Sequence, residues 1–150
     1  MKATASFLWD LLYFLTGEGT WRLRTHERLV LEAAIASLPD DIQSQLRAQF
    51  NQMLFVQRSN RQISRPRFYS IPLEGNELPH NLLKVEIDVG GKKESAHVEF
   101  FQGRVDSIQF KHPGKFYSGK ALKVDGVKAG NPKVSHAAAI DRSEHGSQHT

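Results

Sequence analysis

The chain of 150 residues is 39% hydrophobic and 24% charged, which is typical of a globular domain rather than of a disordered chain. It contains no cysteine, and this excludes disulfides, thiolate zinc sites and a cysteine nucleophile. The absence of cysteine suits a reducing compartment, so we predict a cytoplasmic location.

The net charge of +4 is unevenly distributed along the chain. Residues 58–126 contain twelve basic and eight acidic side chains, whereas residues 1–57 contain five basic and six acidic ones. The excess of cations in the second half favours contact with a polyanion or an acidic partner. An exposed sheet with a modest excess of lysine has the same pattern, so both interpretations stay open.

The first segment is strongly apolar between Phe7 and Leu15. Its apolar run is interrupted by Asp10 and is far shorter than the roughly 20 residues that span a bilayer. We therefore predict no membrane span. The segment is predicted to be a first helix that ends at Gly17, because glycine commonly stops a helix.

Two amphipathic helices are predicted to follow. The second helix begins at Thr25 as its N-cap and ends at Pro39, which also starts the third helix. The apolar stripe of the second helix consists of Leu31, Ala34, Ile35 and Leu38. The apolar stripe of the third helix consists of Ile42, Leu46, Phe50, Met53 and Leu54. The polar face of the third helix, which includes Gln49, is predicted to face solvent.

After the third helix the hydrophobic period changes to strand-like alternation. A first strand is predicted at 68–71, and a final edge strand near Leu122 to Val124, where Lys123 protects the edge. The clearest alternation is that of Leu83, Val85, Ile87 and Val89 with charged residues. Two further strands are predicted around Val98 and Ile108.

Successive residues of a strand point to opposite faces, so inward-facing residues have either odd or even numbers. This parity predicts how the strands pair. Across Gly90-Gly91 we favour a four-residue loop that sets Ile87 opposite Ala96, over a two-residue loop that sets Ile87 opposite Glu94. Across the next turn we favour a three-residue loop, Gln102 to Arg104, that pairs Val98 with Ile108. The two-residue alternative there places two carboxylates opposite each other.

The predicted fold class is α+β, with three N-terminal helices packed on one face of a four- to five-stranded antiparallel meander sheet. We predict one domain at residues 1–126 and a flexible tail at 127–150. Within the domain, 1–57 is helical, 58–67 is an arginine-rich joint and 68–126 is the sheet part.

Several short motifs fail as catalytic or cofactor sites. Residues 114–121 approach the phosphate-binding pattern GxxxxGK[ST], but Ala121 has no hydroxyl for magnesium and a strand rather than a helix follows. His97 and Glu99 match the H-x-E of zinc deaminases without the thiolates that this chemistry needs. We predict no catalytic, cofactor-binding or metal-binding residues, and a function without catalysis.

The arginine-rich joint is the first candidate contact surface. Guanidinium groups beside an aromatic ring suit phosphates and stacked bases. The candidate residues for a polyanion or partner contact are Arg58, Arg61, Arg65, Arg67 and Tyr69. A solvated crossover explains the same residues without a ligand.

The second candidate surface is apolar. The parity argument places Phe101 and Val105 on the sheet face opposite the core. The first predicted helix, which includes Trp9 and Tyr13, contains more large apolar side chains than one buried stripe requires. Such a patch suggests a protein partner or self-association. The alternative is that the first helix is wrapped on all sides.

From these features we predict a non-enzymatic protein-binding module: an adaptor, an inhibitor or an immunity-type antagonist of a partner protein. The alternative is nucleic-acid or polyanion binding through residues 58–69. The third hypothesis is a small hydrolase or ligand-binding domain, with a cavity between helices and sheet and with His97 or His112 at its mouth.

Overall fold

A computed structural model describes residues 8, 11–12, 14–16, 19–51, 53–59, 62–68, 78 and 80–131. Seven strands of this part of the chain form one antiparallel sheet. The strands are β1 (Gly19–Thr20), β2 (Met53–Ser59), β3 (Ile63–Phe68), β4 (Leu82–Val89), β5 (Lys92–Phe101), β6 (Arg104–Phe110) and β7 (Leu122–Ala129). Three helices whose bounds are described accompany the sheet: α1 (Thr25–Ala36), α2 (Asp40–Asn51) and α3 (Gly114–Tyr117). The α+β class is confirmed.

Helices α1 and α2 pack against the sheet around one apolar core. The predicted stripe of α1 is buried, and Ile42 and Leu46 of α2 join the same cluster as Val85 and Val98 of the sheet. Residues 8, 11, 12, 14 and 15 are also helical. The predicted positions of these helices are confirmed except at the end of the third one, where Met53 and Leu54 lie in β2 instead.

Two details of the helix predictions are wrong. Thr25 is the first residue of α1 and Arg24 is its N-cap, because the Arg24 backbone N–H donates to the Glu27 carboxylate (2.7 Å). Gln49 does not face solvent: it is buried, and its side-chain amide donates to the Gly103 carbonyl (2.7 Å) because α2 packs on the β5–β6 turn.

The predicted helical part and arginine-rich joint are also corrected. Helix α2 ends at Asn51, and the residues assigned to the end of the helix and to the joint form a hairpin of β2 and β3. Phe55 and Val56 explain the change. Both are fully buried, and consecutive residues of a strand point to opposite faces, so a strand that is covered on both faces accommodates this pair.

The sheet has more strands than predicted and is not a simple meander. Its strand order is β1-β2-β3-β6-β5-β4-β7, so β3 lies beside β6 and β7 lies beside β4. The predicted edge strand at Leu122 continues past residue 126 to Ala129, because Val127 packs against the core opposite Val85. The remainder of the predicted tail, residues 132–150, lies outside the described residues.

The β4–β5 turn contains two residues rather than the predicted four. Gly90 and Gly91 have φ angles of 60° and 90°, which glycine adopts without strain and which a two-residue hairpin turn needs. Ile87 therefore lies opposite Glu94. This charged position on the core side is tolerated because the Glu94 carboxylate lies 3.1 Å from Lys92 Nζ and 3.2 Å from His112 Nε2.

The β5–β6 turn also contains two residues, Gln102 and Gly103. Val98 nevertheless pairs with Ile108, as predicted. Both statements hold because Asp106 is the extra residue of a β-bulge, so that Glu99 lies opposite Ser107 rather than opposite Asp106. The predicted three-residue loop is wrong, since the parity change occurs within β6 instead of in the turn.

A buried ion pair joins the helices to the sheet. Arg58 on β2 donates to both carboxylate oxygens of Glu27 on α1, at 2.8 and 2.6 Å. Ser64 on β3 donates to the same carboxylate (2.6 Å), and Arg58 also donates to the Thr20 hydroxyl on β1. Glu27 is 1% exposed and Arg58 is 8% exposed. Four elements therefore meet at one charged pair whose hydrogen bonds are shared among them.

Removing the cation from this pair is expected to destabilise the fold strongly. In Arg58→Met the Glu27 carboxylate stays buried without its partner, and such a loss typically costs about 3–5 kcal/mol. Urea denaturation at pH 7 measures the change. The control is Arg47→Ala, because Arg47 and Glu32 form an exposed pair (3.0 Å) of a kind that contributes less than about 1 kcal/mol. Equal losses in the two variants contradict the central role of the buried pair.

The pH dependence of the same variant has an expected sign. Burial raises the pKa of Glu27, but the hydrogen bonds and charge of Arg58, with help from Ser64, outweigh burial and hold the pKa below its usual value. The contribution of Glu27 to stability is therefore complete above the usual carboxyl pKa and is lost as the pH falls through the lower folded-state pKa.

In Arg58→Met burial acts without the arginine, so the neutral carboxylic acid becomes the favoured buried form. We expect the stability deficit of this variant, relative to wild type, to shrink as the pH is lowered from 7 to 4. Urea denaturation across that range checks it, and a deficit that stays constant with pH contradicts the assigned pKa direction.

Candidate functional site

The structure separates the residues of the predicted arginine-rich surface. Arg58 belongs to the buried ion pair and is therefore removed from any surface contact. Arg65, on β3, is exposed. Arg61 and Tyr69 lie outside the described residues, as does the side chain of Arg67. Of the described arginines in this segment, Arg65 alone reaches solvent.

The predicted apolar surface is also divided. Phe101 is exposed over 64% of its surface, on the sheet face away from α1 and α2. Val105 is 2% exposed and lies in the core, so its predicted outward position is wrong. The bulge at Asp106 is the reason, because it reverses the parity of β6 between Val105 and Ser107. Trp9 and Tyr13 lie outside the described residues.

A groove opens where β3 and β6 separate. Their ladder pairs Ile63 with Gln109 and Ser64 with Ile108, and no further pair follows. Both strands contribute a cause. Pro66 on β3 has no backbone N–H for a ladder, and the bulged Asp106 on β6 breaks the regular register. The sheet is therefore open at this end although both strands continue.

The groove brings together one residue from each predicted surface. Its volume is about 340 Å³, and it is lined by Gln57, Arg65, Pro66, Phe101, Gln102, Arg104, Val105 and Asp106. Paired residues of adjacent strands share a face, so the pairs Gln57–Arg65 and Phe101–Arg104 point away from the helices. The exposed phenyl ring thus lies in a groove that carries two guanidinium groups.

The chemistry of the groove suits an extended polypeptide. Separated strands offer backbone N–H and C=O groups that no neighbouring strand uses along this stretch. Arg65 and Arg104 supply two cations against the single carboxylate of Asp106, and an arginine can hold a carboxylate through two parallel hydrogen bonds. Phe101 supplies an apolar anchor of the kind enriched at protein interfaces.

The helical segment that precedes α1 and contains residues 8, 11, 12, 14 and 15 is not covered on all sides. Its described apolar side chains are all exposed: Leu8, Leu11, Leu12, Phe14 and Leu15. Phe14 contacts Trp21 (5.9 Å between ring centroids), and Trp21 meets the buried ring of Phe55 edge-on (4.9 Å). This aromatic series connects the segment to β2.

The structure also pairs a histidine with an acid that sequence spacing did not bring together. His112 Nε2 lies 3.2 Å from the carboxylate of Glu94, 18 residues away, and the His112 ring packs on Phe116 (4.2 Å). The side chain of Glu94 is buried, and a hydrogen bond from Lys92 keeps its pKa below the usual value, with help from His112. The carboxylate therefore stays ionised and serves as the centre of a charge cluster.

His97 lies on the opposite sheet face from this cluster. Burial lowers its pKa, and so does the charge of Lys84 on the neighbouring strand. Glu99, two residues along β5, accepts hydrogen bonds from Ser107 (3.2 Å) and Gln109 (3.1 Å). These contacts place Glu99 in a hydrogen-bonded network on the same sheet face as His97.

No protein-family model, curated protein or solved structure matches this chain. Among the described residues, no three histidine or acidic side chains converge as metal ligands. No helix in that part of the chain is both long and apolar enough to cross a lipid bilayer.

Sequence reasoning missed Pro66 and Arg104 as groove residues. The sequence pattern places Arg104 in a turn and Pro66 in the arginine-rich joint. A proline inside an otherwise regular strand is the available signal, because it predicts interrupted pairing with one neighbour. The identity of that neighbour depends on the strand order, which no local pattern contains.

The opposite positions of Phe101 and Val105 can be tested by stability. Val105→Ala removes two buried methyl groups from the core and is expected to cost about 1–3 kcal/mol. Phe101→Ala removes an exposed ring and is expected to change the free energy of unfolding by less than about 1 kcal/mol. Guanidinium denaturation of both variants checks this, and a larger loss for Phe101→Ala contradicts the register of β5 and β6.

Proposed function

We propose that this chain is a non-enzymatic, cytoplasmic protein-binding module, and that the groove between β3 and β6 binds an extended, acidic segment of its partner. The observation that supports the proposal most is the exposed Phe101 within a break of the sheet flanked by Arg65 and Arg104. An adaptor, an inhibitor or an antagonist of another protein would use such a groove in the same way.

The backbone of the groove supports an extended ligand. A peptide strand that enters an open sheet forms main-chain hydrogen bonds with little dependence on its own sequence. Pro66 offers a carbonyl but no N–H, so the bulged β6 side supplies the donors. Side-chain specificity then depends on the residues beside the slot.

The side chains of the groove support an acidic ligand with an apolar residue. A carboxylate placed between Arg65 and Arg104 meets two cations, and the same two cations disfavour a ligand with several arginines or lysines. Phe101 is the kind of large aromatic residue whose truncation commonly weakens binding most. In this proposal the charges of the groove provide selectivity, and the Phe101 ring provides most of the binding strength.

Nucleic acid is the competing ligand. Residues 58–69 are the nucleic-acid surface that the sequence predicts, but Arg58 is unavailable because it is buried with Glu27. What supports it now is Arg65 together with Arg104 and an aromatic ring for base stacking. Asp106 in the same groove repels a backbone with a phosphate at every nucleotide more strongly than a peptide with one or a few carboxylates.

The proposal predicts which variants lose the partner. Affinity capture from an extract of the native host, followed by mass spectrometry, compares wild type with Phe101→Ala, Arg65→Glu and the control Lys123→Ala. Lys123 is an exposed cation on β7, far from the groove lining. We expect a partner protein to be recovered with wild type and control and reduced at least tenfold with both groove variants.

The opposite outcomes are equally clear. Recovery of no protein other than the bait, or of the same proteins with all four baits, contradicts the proposal. Binding of a single-stranded oligonucleotide that weakens steeply with salt, and whose salt dependence falls in Arg65→Ala, supports the nucleic-acid alternative instead.

A further inference from the structure

A second concavity lies on another part of the molecule, between the start of α1 and the segment that leads from α3 to β7. Its volume is about 530 Å³, and it shares no lining residue with the groove. Its lining includes Arg24, Thr25, His26, Lys115, Ser118 and Lys120. We call this concavity the α1 cleft.

The charges of the α1 cleft have one sign. Arg24, Lys115 and Lys120 contribute three cations, and the lining contains no carboxylate. The two nearby buried acids are directed elsewhere, since Glu27 is bonded to Arg58 and Glu94 to Lys92. The cleft therefore favours an anion over a neutral or cationic ligand.

The start of a helix adds directed donors to this charge. The Arg24 N–H is already bonded to Glu27, but the N–H groups of Thr25 and His26 have no carbonyl within α1 to accept them. Together with the partial positive charge of the helix start they suit an anion with several oxygens. The hydroxyls of Thr25 and Ser118 line the same cleft.

His26 is the observation that points to a ligand. It is 6% exposed, it lines the cleft, and no hydrogen bond connects its ring to another described residue. The ring is held by stacking on Tyr117 (5.0 Å, 18°) and by edge contact with Phe110 (4.9 Å). Its ring nitrogens are not among the buried unpartnered atoms of the described residues, so they are accessible from the cleft, where a ligand oxygen can serve as their hydrogen-bond partner.

We propose that the α1 cleft binds the phosphate group of a small phosphorylated molecule. The proposal uses the segment 114–121, whose near match to a phosphate-binding loop fails in its own context because a strand follows it. In the fold, the helix start is supplied by α1 instead, and Lys115 and Lys120 lie beside it. Ala121 still offers no hydroxyl for magnesium, so the positive charge of the site is that of its own side chains.

The neutral form of His26 fits this role. Burial lowers its pKa, while the charge of Glu27 acts against burial and the charges of Arg24 and Arg58 act with it. A neutral imidazole donates one N–H to a phosphate oxygen. Lys115, Lys120 and Arg24 then supply the positive charge, and the His26 imidazole supplies a hydrogen bond that orients the phosphate group.

The test titrates the full chain with inorganic phosphate and with phenyl phosphate, by calorimetry at constant ionic strength. Lys115→Ala removes an exposed cation of the cleft, and His26→Phe keeps an aromatic ring between Tyr117 and Phe110 without the N–H. We expect each variant to weaken phosphate binding about tenfold, as is typical for the loss of one charge-assisted hydrogen bond. The matched control is Lys123→Ala, which is expected to bind like wild type.

Magnetic resonance of the His26 ring provides a second measurement in wild type. Its imidazole signals, identified by their loss in His26→Phe, are expected to shift on addition of phosphate and not on addition of equimolar chloride. Equal affinity in all variants, or no binding at millimolar phosphate, overturns the proposal. Binding confined to phosphatidylcholine vesicles that contain phosphatidic acid also overturns it, since the ligand would then be a lipid surface with the same phosphate chemistry.

Discussion

The buried pair of Glu27 and Arg58 is the interaction on which the arrangement of helices and sheet depends. Burying a charged carboxylate in an apolar interior is costly unless hydrogen-bond donors surround its oxygens. Here the donors come from the start of α1 and from β2 and β3. Arg58 extends the contact to Thr20 on β1. The pair therefore selects one position of α1 relative to three strands, which apolar contacts alone would leave less specified.

The same pair influences both concave sites. By directing Glu27 inward it leaves the start of α1 to Arg24, Thr25 and His26, so the α1 cleft has no carboxylate in its lining. By removing Arg58 from the surface it leaves Arg65 as the cation of the β3 side of the groove. One interior interaction thus determines which charges two separate surfaces present.

The groove results from two local defects that coincide. Pro66 cannot donate to a ladder, and the bulge at Asp106 shifts the register of the strand that would face it. Either defect alone interrupts one or two hydrogen bonds. Side by side they separate β3 from β6, and the turn of β5 and β6 then places Phe101 and Arg104 at the opening.

Local patterns in the sequence determined a large part of the fold. The alternation in β4 and β5, the apolar stripe of α1 and the α+β class follow from the spacing of adjacent residues, because each period reflects which side of one element is buried. The exposed Phe101 and the pairing of Val98 with Ile108 also followed from parity.

Only the tertiary structure decided the strand order, the position of the bulge and which charged side chains are buried or paired. Arg58 is half of a buried pair rather than a surface cation because Glu27, 31 residues earlier, packs against it. His112 has a carboxylate partner because the fold brings Glu94 beside it. Such contacts join residues that are distant in the chain, and no period along the chain records them. The sequence alone therefore determined which sides of the elements are apolar, while packing decided which polar groups meet and where the sheet opens.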